Sequence, residues 1–190
     1  MRTWISLLCI IIGIIFYIIS SPPPITTYSK QEVPFKDTSF KNSIAITSRD
    51  PTDANAEIDE IIATIRCDEI NLYTTVSYGA AQSQVDRNDV CLTFGNRFDG
   101  AYAILNGHGY KSFNKLNNIE IDNEIFIHAY YGDFKYKVTD VIYGYTDGIN
   151  IYNSSNIPQI NTNPSVDTLY LYTCYGWNPD SRLLIKAIKI

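Results

Sequence analysis

Histidine is scarce in this chain of 190 residues, with His108 and His128 its only two. Any reaction that needs an imidazole to carry a proton must draw on one of them. A basic excess is also lacking. Fifteen Lys and Arg against 20 Asp and Glu leave a net charge of −5, the wrong sign for a nucleic-acid-binding protein. No internal repeat is visible, so nothing points to a repeat array. Glycine and proline are moderate, at 10 and 8 residues, while tyrosine reaches 15. That balance suits a packed all-β domain and disfavours a disordered chain. With 45% hydrophobic residues, the chain can bury one core, so one domain with appendages is expected.

The appendages come first. Residues 4–19 are apolar apart from Ser6, Cys9 and Gly13. As a helix this run spans about 24 Å, slightly short of a ~30 Å hydrocarbon core. Arg2 supplies a charged inner end. The run reads as a retained signal anchor over 1–21. The rival is a cleaved signal peptide, for which Ser20-Ser21-Pro22 makes a poor cleavage site. Cys9 inside the run is read as a small hydrophobe. Pro22, Pro23 and Pro24 stop a helix, and the polar stretch to residue 56 reads as a stalk.

Residues 57–190 carry the domain. Strand-like runs occupy 57–66, 71–78, 101–105, 124–131, 134–144 and 168–173, with a final strand beginning at Arg182. Gly132-Asp133 lies between two of them as a hairpin signal. Residues 79–99 look irregular apart from a short apolar break at 90–94, and 111–118 suggest a helical turn. Many short strands with little helix predict a closed or nearly closed β-barrel.

The chemistry gathers near the end of the chain. The strand at 168–173 runs into Cys174, and Gly176, Asn178, Pro179 and Asp180 form a turn before Arg182. If the two strands pair as neighbours, a thiol and a guanidinium share one end of a sheet. A fixed cation favours the thiolate, the form that attacks carbonyls. The same guanidinium is suited to a substrate carbonyl or a developing oxyanion. The bland alternative for Arg182 is a rim charge paired with Asp180. His108 follows an apolar strand and is flanked by Gly107 and Gly109, the position of a site residue. His128 lies mid-strand in an alternating pattern and reads as structural. Cys67 and Cys91 are read as two independent buried thiols, although an exported domain would permit a disulfide.

Gly107-His108, then Leu171-Tyr172-Thr173-Cys174, then Arg182 on the next strand resemble, in that order, the signature of the sortases. These are membrane-anchored cysteine transpeptidases of Gram-positive bacteria. The sequence departs from their pattern at Tyr170, where Thr is usual, and at Gly109, where many members carry a polar or basic residue. Asp50-Pro51-Thr52 also lacks the aromatic residue of the lid found in pilus-building members.

The resemblance implies a closed eight-stranded β-barrel with one or two short helices. It implies Cys174 as nucleophile, His108 as acid and base, and Arg182 as the residue steadying substrate or oxyanion. Thr173, Tyr175 and Trp177 are the candidate substrate contacts, with Tyr175 and Trp177 serving either as an apolar groove wall or as rim packing. The connection 149–166 corresponds to the family's specificity loop. The implied activity is cleavage of a Leu-Pro-x-Thr-Gly-like sorting signal through a thioacyl-enzyme, then transfer of the surface protein to a cell-wall amine. Implied partners are sorting-signal peptides, a cell-wall precursor amine and the membrane, with the domain on the extracellular face. A membrane-tethered barrel that binds peptide or wall without catalysis is the alternative. Asp86 with Asp89, and Glu120 with Asp122 and Glu124, mark positions that some sortases use for calcium. They are read here as solvated loop carboxylates, and no metal or cofactor is expected.

Overall fold

The computed structural model describes residues 56–79, 81–93 and 97–190. The expected anchor at 1–21 and all but the last residue of the expected stalk lie outside these. Among the described residues, no helix is long and apolar enough to cross a membrane.

Nine strands form one sheet: β1 (Ile61–Cys67), β2 (Leu72–Tyr78), β3 (Val90–Leu92), β4 (Tyr102–Gly107), β5 (Glu124–Ala129), β6 (Gly132–Thr146), β7 (Ile151–Tyr152), β8 (Thr168–Cys174) and β9 (Ser181–Lys189). Their order is β5-β1-β2-β3-β4-β8-β9-β6-β7, and a further β5–β6 pairing closes the ring. Eight strands therefore make a closed barrel, and the two-residue β7 extends from β6. Closure removes the exposed edges that an open sheet of this size would present. One short α-helix, α1 (Gln82–Arg87), and two 3₁₀ segments, Asp68–Ile70 and Ser112–Asn118, complete the described elements.

Period-two alternation explains the interior. Ala103 and Leu105 of β4, Leu169 and Leu171 of β8, and Leu183, Ile185 and Ala187 of β9 all point into the main core. Phe113 and Leu116 of the second 3₁₀ segment are fully buried in the same core. Each buried Leu, Ile or Phe among them contributes roughly 1.5–3 kcal/mol by leaving water.

The outer face of β4, β8, β9 and β6 is also apolar. Ile151, Tyr170 and Leu184 form a second cluster there, joined by Tyr102, Ile104, Ile142, Ile160 and Tyr172. This is why residues 168–171 are buried on both faces and read as a continuous apolar run. The loop after β7 covers part of the surface. The Tyr170 hydroxyl accepts from the Asn161 N–H at 3.1 Å and donates to the Asn161 carbonyl at 3.2 Å.

Three local features differ from the sequence reading. The hairpin between β5 and β6 turns at Tyr130 and Tyr131, because Ala129 pairs with Gly132 and His128 with Asp133. Burial displaces the turn. Tyr131 packs against Phe98 and Phe134, and its hydroxyl accepts from the Phe98 N–H at 3.0 Å. In β6 the register slips between Val138 and Asp140. Tyr136 and Val138 therefore face the interior, while Asp140, Ile142 and Gly144 pair with the outward-facing Lys186, Leu184 and Arg182. Finally, the irregular-looking stretch 79–99 contains both α1 and β3. The Gln84 side chain accepts from the Ala81 N–H at 2.7 Å and so satisfies a donor at the start of α1.

Candidate active site

Cys174 ends β8 and is directly paired with Arg182 at the start of β9. The shared sheet end expected for the thiol and the guanidinium is thus present. Cys174 continues the outward row of Tyr170 and Tyr172 and is exposed. The other two described cysteines are different. Burial pushes the Cys67 thiol up to about 12, and burial likewise raises Cys91 to about 11. Both are free and buried, so they are poor nucleophiles at neutral pH.

His108 follows β4, which runs parallel to β8 and pairs with it from Tyr102↔Thr168 to Asn106↔Tyr172. Two parallel strands ending side by side bring His108 to the same end as Cys174. Both residues line one cleft of about 520 Å³. Gly109, Tyr110, Asn117, Tyr143, Tyr175 and Gly176 form the rest of its wall.

Gly109 gives a measure of the closeness. A β-carbon there would lie 2.6 Å from the Cys174 carbonyl oxygen and 3.1 Å from the Thr173 hydroxyl. The histidine turn therefore rests on the backbone at the end of β8, and only a residue without a side chain permits it.

Arg182 is half-buried and makes no ion pair with Asp180. One of its terminal nitrogens donates to the carbonyls of Pro179 at 2.6 Å and Ser181 at 2.9 Å. The guanidinium thus shapes the loop after Cys174 by holding its backbone. Planar guanidinium has five donors, so others remain, but Arg182 is not among the residues lining the cleft shared by Cys174 and His108.

The candidate substrate contacts separate. Tyr175 lines the cleft, with its ring centroid 4.8 Å from that of Tyr143. Trp177 is 91% exposed on the loop and does not line the cleft. Thr173 faces the other way from Cys174, is 2% exposed, and supports the Gly109 turn from beneath. His128 lies on β5, is exposed, and hydrogen-bonds through Nδ1 to the carboxylate of its cross-strand partner Asp133. It makes a surface pair and has no place in the cleft.

One contact was not legible in the sequence. His108 Nε2 lies 2.8 Å from Asp86 Oδ1, on the last turn of α1. The same oxygen accepts from Gln82 Nε2 at 2.8 Å. These hydrogen bonds, from Gln82 first and His108 next, hold the Asp86 carboxyl below the usual range. Lys111 Nζ donates to the carbonyls of Asp86 at 3.0 Å and Asn88 at 3.3 Å, tying α1 to the histidine turn. Neighbouring Asp89 accepts from the Ser112 N–H at 3.1 Å and from the Thr74 hydroxyl at 3.0 Å. Neither carboxylate is idle on a loop. The usable signal was the Gln82–Asp86 spacing of four in a stretch without Gly or Pro, which is compatible with one helical turn. Glu124 and Asp122 pair instead with Lys135 and Lys137, both at 2.8 Å.

A family model described as Sortase domain matches residues 65–190. The fold is similar to Clostridium perfringens sortase C with the C-terminal cell wall sorting motif, at TM-score 0.58 and 19% identity over 72% of this chain and 74% of that one. It is similar to a Clostridium perfringens sortase D5 transpeptidase, at TM-score 0.57 and 16% identity over 72% and 82%. A lid mutant of Corynebacterium diphtheriae sortase A aligns at TM-score 0.56 and 19% identity over 74% of each chain. Comparison with curated proteins gave no match. The family match spans well over half of the chain and coincides with the closed barrel and its cleft, so this chain belongs to the sortase family.

Proposed function

We propose that the protein is a cysteine transpeptidase that cleaves a Leu-Pro-x-Thr-Gly-like sorting signal and joins the severed surface protein to a cell-wall amine. The observation that carries this reading is the convergence of Cys174 and His108 on one cleft, with Arg182 the cross-strand neighbour of Cys174 in the β8–β9 register. One of the structures it resembles was solved with a C-terminal cell wall sorting motif, which supports a peptide of that class as ligand.

The chemistry follows from the residues. The thiol proton passes to His108 and the Cys174 sulfur attacks the carbonyl carbon before the scissile bond. A C–S bond forms, the C–N bond breaks, and His108 returns the proton to the leaving amine. Arg182 steadies the oxyanion or the substrate carbonyl. An incoming amine then gives a proton to His108 and forms the new C–N bond as the C–S bond breaks, and His108 returns that proton to the Cys174 sulfur. The apolar 1–21 segment anchors the enzyme, with the barrel on the outer face, where sorting signals and wall precursors meet.

Peptide cleavage by four variants tests this. Cys174→Ala and His108→Ala should each abolish cleavage. Arg182→Lys keeps the charge but loses the planar fork, so turnover should fall about tenfold or more with an unchanged melting temperature. His128→Ala should retain activity. Cleavage by Cys174→Ala, or loss with His128→Ala while His108→Ala works, would refute the assignment.

A further inference from the structure

We infer that Asp86 is a positioning residue that fixes the protonated nitrogen of His108, so that proton transfer in the cleft runs through Nδ1. The inference rests on the catalytic role proposed for His108. The geometry is specific about which ring nitrogen is engaged. Nε2 lies 2.8 Å from Asp86 Oδ1, and a carboxylate can only accept. Nε2 therefore carries the hydrogen. In the neutral imidazole Nδ1 is then the bare nitrogen, free to take a proton from the Cys174 thiol or an incoming amine.

Further contacts hold the carboxylate and the ring where this pairing requires them. Gln82, one turn earlier on α1, donates to the same Asp86 oxygen. Lys111, three residues after His108, donates to the Asp86 and Asn88 carbonyls and fastens the end of α1 to the histidine turn. Tyr110 stacks on the His108 ring with centroids 4.6 Å apart, restricting its rotation. The His108 side chain is 13% exposed, so few arrangements of the ring are open to it. Asp86 itself is half exposed, at 55%, so its effect should be smaller than that of a buried triad carboxylate.

The role is orientation, and it makes a ranking that simple packing would not. Asn is the closest match to Asp in shape, yet its amide can donate to Nε2 and so favour the tautomer with hydrogen on Nδ1. Glu has a different length but keeps an acceptor-only head. Orientation of the tautomer thus places Asp86→Glu above Asp86→Asn in turnover, whereas a packing role places Asn above Glu.

The test uses the full chain with a sorting-signal peptide and a His128→Ala background, so that one imidazole remains. Asp86→Asn and Asp86→Ala should each lower kcat by about tenfold, with KM within about twofold and an unchanged melting temperature. Asp86→Glu should recover most of the lost kcat. In ¹⁵N spectra of the parent protein above the imidazole titration, Nε2 should be the protonated nitrogen, and Asp86→Asn should shift population toward Nδ1–H. An Nδ1–H tautomer in the parent, or Asp86→Asn at least as active as Asp86→Glu, overturns the inference. His108→Ala and Cys174→Ala run alongside separate the two failures. If both are dead while Asp86→Asn is unimpaired, only the role of Asp86 falls. If either is active, the catalytic reading falls with it.

Discussion

At the scale of single residues, three cysteines of one protein are set apart by their surroundings. Cys174 stands exposed at a strand end, while Cys67 and Cys91 are buried in the barrel wall with thiols raised to about 12 and about 11. A raised thiol pKa means little thiolate at neutral pH, and less still as pH falls. A mild alkylating agent at pH 7–8 should therefore label Cys174 alone in the folded domain, with Cys67 and Cys91 reacting only after unfolding. Peptide mapping by mass spectrometry checks this, and equal labelling of all three would contradict it. The position of Cys174 was legible because a strand, a turn and a second strand leave few ways to arrange a thiol and a guanidinium. The partner of Arg182 was not. The Pro179 and Ser181 carbonyls it binds carry no side-chain signal, and the sequence offered only Asp180, as the bland alternative to a role on substrate.

At the scale of elements, the site depends on how closely two pieces of backbone approach. A methyl group on residue 109 would meet the Cys174 carbonyl, which cannot swing aside like the end of a flexible side chain. Gly109→Ala should cost about 1–3 kcal/mol of stability through overpacking. By moving the His108 turn it should also lower kcat by about tenfold or more. Denaturant melts together with steady-state kinetics measure both, and wild-type kcat in the variant would show that the turn tolerates displacement. The strands were largely readable from β-branched and aromatic runs. The slip in β6 was not, because one unpaired residue leaves the local pattern almost intact while reversing which side chains face outward. The hairpin turn also escaped, since burial of Tyr131 outweighs the turn preference of Gly132-Asp133. Helix α1 escaped because six residues without a Ser, Thr, Asp or Asn cap give no start signal.

At the scale of the whole molecule, eight strands close a ring whose parallel β4–β8 pair delivers the histidine and the cysteine to one rim. The ring could be anticipated from many short strands, whereas the parallel neighbours came only from long-range pairing. The proposed N-terminal anchor would put the barrel outside the cell. Protease added to intact cells should release a fragment beginning between residues 25 and 56, and a fragment protected until lysis would place the domain inside. The reading of this barrel as a transpeptidase rests above all on a covalent bond at Cys174. Intact-mass spectrometry of the protein mixed with a Leu-Pro-x-Thr-Gly peptide, without an amine acceptor, tests it most directly. The wild-type protein should gain the mass of the acyl fragment, mapped to Cys174 and removed by an added amine, while Cys174→Ala gains none. An unmodified wild-type protein that nevertheless cleaves the peptide, or an adduct on any other residue, would contradict it.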